Sequence, residues 1–316
     1  MALLKAILMA LALLVSPFIS IAAEHEQADG THSQITAAAA HSEHQEGLPA
    51  AAPRIQIGPF SVTNSMLMTW AVALFIIIFA QIATKNIQQV PEGAQNFWEW
   101  LVESLHDFLE GIIGHELVKK TFWFFATVFI FILFTNWAGL FPGVGTIGWG
   151  LPDADGHLHH ISRPLLRGVN ADLNMTLAMA MIFFVCWTVW ALQANGPGGF
   201  ILHLFGPKGD TAGLLKLLMI AVFIAVGFLE VVSILFRPVS LSFRLYGNIF
   251  AGENMLESMA VMGGAWFGWL LPLPFYAMEL LVGLVQALVF MLLTAVFTLL
   301  ICTHDEEGHG HEKAHH

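Results

Sequence analysis

The chain has 316 residues, of which 57% are hydrophobic and only 11% charged, with a formal net charge of -11 and a positive mean hydropathy of +0.71. Such a composition excludes an ordinary soluble domain, and the several apolar windows of about 20 residues indicate membrane-spanning helices. The windows lack the period-two alternation of barrel strands, and no basic patch suggests nucleic acid as a partner.

Residues 1–23, "MALLKAILMALALLVSPFISIAA", place one lysine before an apolar run that closes on Ile21-Ala22-Ala23. This is the pattern of a secretory signal peptide cleaved after Ala23; the alternative is a retained first helix. Residues 24–60 are polar, rich in Ala and His, and are expected to form a flexible tail outside the membrane. The first mature span is expected over about 62–84.

From Pro91 the pattern changes. Phe97, Trp98, Leu101, Leu105, Phe108, Leu109 and Ile112 recur at three- and four-residue spacing, with Glu99, Glu103, Asp107 and Glu110 largely between them. That spacing predicts an amphipathic helix over about 92–113, lying on the membrane or against a partner rather than crossing it. A second span is expected over about 121–141, entered past Lys119 and Lys120, and a third over about 172–194. Between them lies a loop containing "DADGHLHHISR", and "NGPGGFILHLFGPKGD" reads as a connection after the third.

Residues 213–262 are apolar almost without pause. A helix of that length would reach about 70 Å, against a hydrocarbon core of about 30 Å. Either two spans break at Pro238 or one long helix lies steeply tilted. A last span follows over about 275–302, and residues 304–316 form a His-rich polar tail. With an external N-terminus and a single crossing of the long segment, Lys85, Lys119, Lys120, Lys208, Lys216 and Lys313 fall inside, and Arg54, Arg163 and Arg167 outside. That distribution agrees with the positive-inside rule. Cys186 and Cys302 have no cysteine near them in sequence and read as small apolar residues.

The polar residues of the long segment are ordered. Glu230, Arg237, Ser240, Arg244 and Asn248 are separated by seven, three, four and four positions, which stacks them along one helix face. Glu253 lies nine beyond Arg244, about 180° around the helix. In the last span Glu279 and Gln286 are seven apart and share a face, which an antiparallel hairpin could turn toward Glu253. An ionised group at the bilayer centre costs at least about 2.5–3.5 kcal/mol on insertion scales. A register of charges at that cost points to an ion path or a contact with a moving partner.

The stretch "RPVSLSFRLYGNIFAGE", residues 237–253, closely resembles the signature of subunit a of F-type ATP synthases, the membrane stator beside the c-ring. "ADLNMTLAM", "LEVVSILFRPVSL" and "LVQALVFMLLTAVF" extend the similarity over about residues 60–303. The resemblance implies an all-α integral membrane protein. Three spans would stand roughly perpendicular to the membrane, beside one interfacial amphipathic helix and a long tilted two-helix hairpin against the rotor ring. It implies a multi-pass protein of a bacterial inner or equivalent energy-coupling membrane, with the C-terminus cytoplasmic. The implied partners are c-ring subunits, peripheral-stalk b subunits, the remaining ATP synthase subunits and lipid, and protons rather than sodium as the ion.

By the same resemblance Arg244 is the essential arginine facing the c-subunit carboxylate. Glu253, Glu279 and Gln286 would line an external half-channel, with Gln286 near Arg244. Glu230, Ser240 and Asn248 would be internal or rotor-facing, and Gly247, Ala251 and Gly252 would permit close helix approach. Family members often pair an acid with a histidine where this chain has Glu253 and Glu279. No cofactor or resident metal is implied, and no phosphate-binding loop or nucleophile–base pair is present, so ATP chemistry would belong to other subunits. Two rival readings are a metal transporter using the His-rich segments and a structural membrane scaffold.

Overall fold

The computed structural model describes residues 54–57, 60–141, 144, 148–149, 163–164, 166–205 and 214–302. The expected signal segment, the His-rich loop and the His-rich tail lie outside the described residues. Among the described residues, five helices are long and apolar enough to cross a membrane. The described residues form an all-α membrane protein with two short strand pairs.

Strands β1 (Arg54–Ile57) and β2 (Phe60–Thr63) pair antiparallel and lead into helix α1 (Asn64–Thr84). Thr63 caps that helix, its hydroxyl accepting from the Met66 amide at 3.3 Å. Apolar residues cover most of α1, and Leu74, Phe75, Ile78 and Ile82 are exposed. That is the surface expected of a helix facing lipid.

Helix α2 (Ala94–Ile113) differs. It buries Leu105, Leu109 and Ile113, one every four residues, and carries its carboxylates elsewhere. Its length is that of a span, yet its composition keeps it out of the set of apolar helices. Helix α3 (His115–Gly139) follows after the single residue Gly114 and so includes Lys119 and Lys120 in its first turns. Strands β3 (Gly148–Trp149) and β4 (Arg163–Pro164) form a second short pair.

A 3-10 turn, η1 (Val169–Ala171), introduces helix α4 (Leu173–Phe205). Its path is interrupted at Gly196, and helix resumes at Pro197, where the sequence reads as a connection. Proline favours the first helical position because its missing N–H has no partner to lose there.

Helix α5 (Leu214–Phe267) runs through Pro238 without a non-helical residue and breaks only at Gly264. Of the two readings left open by hydropathy, the continuous helix is the one found. Its apolar stretch, Val222–Gly264, is 43 residues, about 65 Å at 1.5 Å per residue. Helix α6 (Leu273–Cys302) returns beside it.

The core lies where α2, α3, α4 and α6 meet, with Phe124, Phe125, Phe183, Phe290 and Met291 buried together. Along α5, Ile234, Pro238, Leu241, Leu245 and Ile249 form a buried seam at three- and four-residue spacing, continued seven residues on by Leu256. Phe228, Phe236 and Phe243 are exposed on the other side of the same helix.

Candidate functional site

The stripe predicted on α5 divides into three environments. At one end Arg237 is half-buried. Its guanidinium lies 4.4 Å from the ring centroid of Phe297 on α6 and 5.8 Å from that of Trp187 on α4. Glu230, one face and two turns earlier, acts on it as an attractive charge. Together these contacts compensate a cation in apolar surroundings.

Ser240 and Arg244, in the middle, are exposed. Among the described residues Arg244 has neither a hydrogen-bond nor an ion-pair partner. Leu241 and Leu245, its neighbours on the buried seam, fix the orientation of the helix, so the guanidinium is directed away from the rest of the chain.

Asn248 is also exposed, but its amide donates to Oε1 of Gln286 on α6 at 2.8 Å. Gln286 therefore meets the stripe one turn beyond Arg244. These residues open a groove of about 510 Å³ between α5 and α6, lined also by Ala251, Gly252, Met255 and Glu279. Glu279 and Gln286 are each only 5% exposed. The Glu279 carboxyl lies directly over Gly252, in the space that a β-carbon there would occupy. Gly252 is thus the place where α6 brings an acid against the α5 backbone. Gly247 has open space around its Cα, and Ala251 is exposed.

Glu253 takes the other direction. Its carboxyl oxygen lies against Gly168, where a β-carbon would overlap it, and would be 3.7 Å from one on Gly139. The buried Arg167 attracts it, while Glu279 and Glu257 repel it. Glu253 and Glu279 are therefore within electrostatic range, yet Glu279 packs on α5 itself and Glu253 on the loop before η1. One oxygen of each, Oε2 of Glu253 and Oε1 of Glu279, is buried without a hydrogen-bond partner. Unpartnered buried carboxyl oxygens are costly.

A third set of polar residues supports this corner. Asn170 donates to Oγ1 of Thr135 at 2.9 Å and to Oδ1 of Asn136 at 2.6 Å. Asn136 donates to the Gly283 carbonyl at 3.0 Å, and the Trp137 indole to the Leu280 carbonyl at 3.1 Å. These bonds tie α3 and η1 to α6 within a turn of Glu279. Nearby, Asp172 accepts from Ser65 at 2.6 Å and from the Asn174 amide at 3.0 Å, joining α1 to the start of α4.

Sequence reasoning missed Arg167, Gly168, Asn136 and Asn170. Arg167 entered only as an external charge. The available signal was a run of polar and glycine residues, "LRGVNAD", immediately before a span, but no helical period connects it to Glu253.

The fold and this site define a class: a multi-pass helical membrane protein with one acid buried in an inter-helix groove, a second acid packed nearby on a loop, and an exposed arginine without a partner among the described residues. The sequence profile of the ATP synthase A chain family matches residues 66–298. The chain is 32% identical to the ATP synthase subunit a of Gloeobacter violaceus over 243 residues, which are 77% of this chain and 85% of that one. It is 31% identical to the subunit a of Desulfotalea psychrophila, over 73% of this chain and 81% of that one. For the subunit a of Moorella thermoacetica the identity is 29%, over 76% and 91%. The chain belongs to the ATP synthase A chain family.

Proposed function

We propose that this chain is the proton-conducting stator subunit of the membrane sector of an ATP synthase, set beside the c-ring in a bacterial energy-coupling membrane. Arg244 meets the c-subunit carboxylate. The observation that carries this reading is the contrast between Arg244 and Arg237. Arg237 is stacked and balanced within the chain, whereas Arg244, one turn pair further on, is exposed and without a partner among the described residues. A guanidinium does not give up its proton, so on an apolar helix it calls for an anion supplied from outside.

The chemistry follows. A rotor carboxylate must be ionised to pass Arg244 and protonated to enter lipid. Glu253, Glu279 and Gln286 line the external half-channel that delivers or accepts the proton. Glu230 and Ser240 lie toward the internal half-channel. Asn248, sharing the groove with Gln286, belongs with the external set as much as with the rotor face. Arg244 stands between the two sets and keeps protons from crossing except on the rotor. Other subunits carry the ATP chemistry, and b subunits of the peripheral stalk hold this chain against rotation.

The test is ATP-driven proton pumping in inverted membrane vesicles carrying Arg244→Ala. Pumping falls to background while the complex still assembles. Pumping at the unsubstituted rate would overturn the role.

A further inference from the structure

We propose that His106, Asp107 and Glu110 form a binding site for one divalent transition-metal ion of the zinc class, at the corner where α2 meets α3, with His115 holding the Glu110 carboxylate in place from behind. The site is remote in role from the proton path and involves none of its residues.

Three donor-bearing side chains of α2 converge on this corner, and a fourth side chain, from α3, braces one of them. His106, Asp107 and Glu110 each offer one donor atom, and these atoms lie within 4.8 Å of one another. Nδ1 of His106 is 3.5 Å from Oε2 of Glu110 and 3.7 Å from Oδ1 of Asp107. Both separations are too long for a good hydrogen bond. They are close to the spacing that a shared ion imposes. Metal–ligand bonds of about 2.0–2.2 Å in a tetrahedral shell put neighbouring donors about 3.3–3.6 Å apart. From α3, Nδ1 of His115 donates to the other oxygen of Glu110 at 2.9 Å. Two imidazoles thus flank one carboxylate, with a second carboxylate beside the first.

Two further features favour a cation here. The His106 ring is held edge-on against Phe122 with centroids 5.1 Å apart, which fixes the imidazole by packing rather than by a hydrogen bond. The charge of α2 is also one-sided. It carries Glu99, Glu103, Asp107 and Glu110 and no Lys or Arg. Glu99, Glu103 and Asp107 follow one another at four-residue spacing, and like charges so placed repel. A dication relieves that repulsion. N and O donors of this kind suit zinc and its neighbours better than calcium or magnesium, which prefer all-oxygen shells.

The test must separate this corner from the other histidines. Of the 15 histidines, those in residues 24–60, 156–160 and 304–316 are replaced by Asn, leaving His106, His115 and His203. The full chain in lipid nanodiscs is titrated with cobalt(II) as a visible probe, then with zinc(II) as competitor. We expect one cobalt(II) per chain with the strong visible absorption of a tetrahedral site, displaced by zinc(II). His106→Asn and Glu110→Gln each weaken binding at least tenfold, and His115→Asn weakens it measurably. Assembly of each variant into a pumping complex shows that it is folded. Loss of stoichiometric binding in the histidine-reduced chain, or equal affinity in His106→Asn, would overturn the proposal.

Discussion

At the scale of single residues, the site depends on where four charged groups are allowed to sit. Arg237 and Arg244 occupy the same face of one helix and differ only in what lies opposite. The first finds Phe297, Trp187 and Glu230, and the second finds nothing within the described chain. Glu279 can approach the backbone of α5 because residue 252 has no side chain, and Glu253 can enter the loop because residue 168 has none. Adding bulk at position 252 should therefore act through Glu279. Gly252→Val is expected to displace that carboxyl and lower ATP-driven pumping about tenfold or more, since misplacement by about 1 Å can cost that much, with assembly retained. Pumping at the normal rate in Gly252→Val would mean that the position of Glu279 does not matter.

At the scale of elements, the hairpin of α5 and α6 is held in register from one side by α3 and η1. Asn136 contributes twice, donating to Gly283 and accepting from Asn170. Replacing it with leucine leaves Asn170 short of a partner in a buried place, a loss of about 1–3 kcal/mol. Asn136→Leu is expected to lower the thermal unfolding midpoint of the purified complex; an unchanged midpoint would show that this tie does not hold the hairpin. Much of the element layout was legible in the sequence. The amphipathic spacing of Phe97 to Ile112 and the apolar runs on either side of it carry their own periods. Three features were not legible in the residue pattern itself, although the family resemblance implied the first. Continuity through Pro238 depends on neighbouring helices supporting a helix that has lost one hydrogen bond, which hydropathy does not report. The pairing of Asn248 with Gln286 depends on the relative register of two helices, and either helix alone is silent about it. The contact of Glu253 with Gly168 joins residues 85 positions apart, one of them in a loop with no period at all.

At the scale of the whole molecule, the polar groups are distributed in a way that suits an incomplete channel. Glu253, Glu279 and Gln286 gather on the side supported by η1 and α3, the Glu230–Arg237 pair lies about three to six turns away along α5, and Arg244 lies between them on an exposed face. No continuous polar path runs within the chain from one set to the other among the described contacts. Such a protein should conduct only when a second component carries the proton across the gap. The family relationship and the exposed arginine both lead to the same expectation: a rotor carboxylate is that component, and Arg244 is what prevents a short circuit. The most direct test is the passive proton permeability of vesicles containing the membrane sector stripped of its catalytic sector, under an imposed potential, with and without Arg244→Ala. The account predicts faster proton leakage through the Arg244→Ala sector, abolished by blocking the c-subunit carboxylate. A leak rate equal to that of the unsubstituted sector would contradict it.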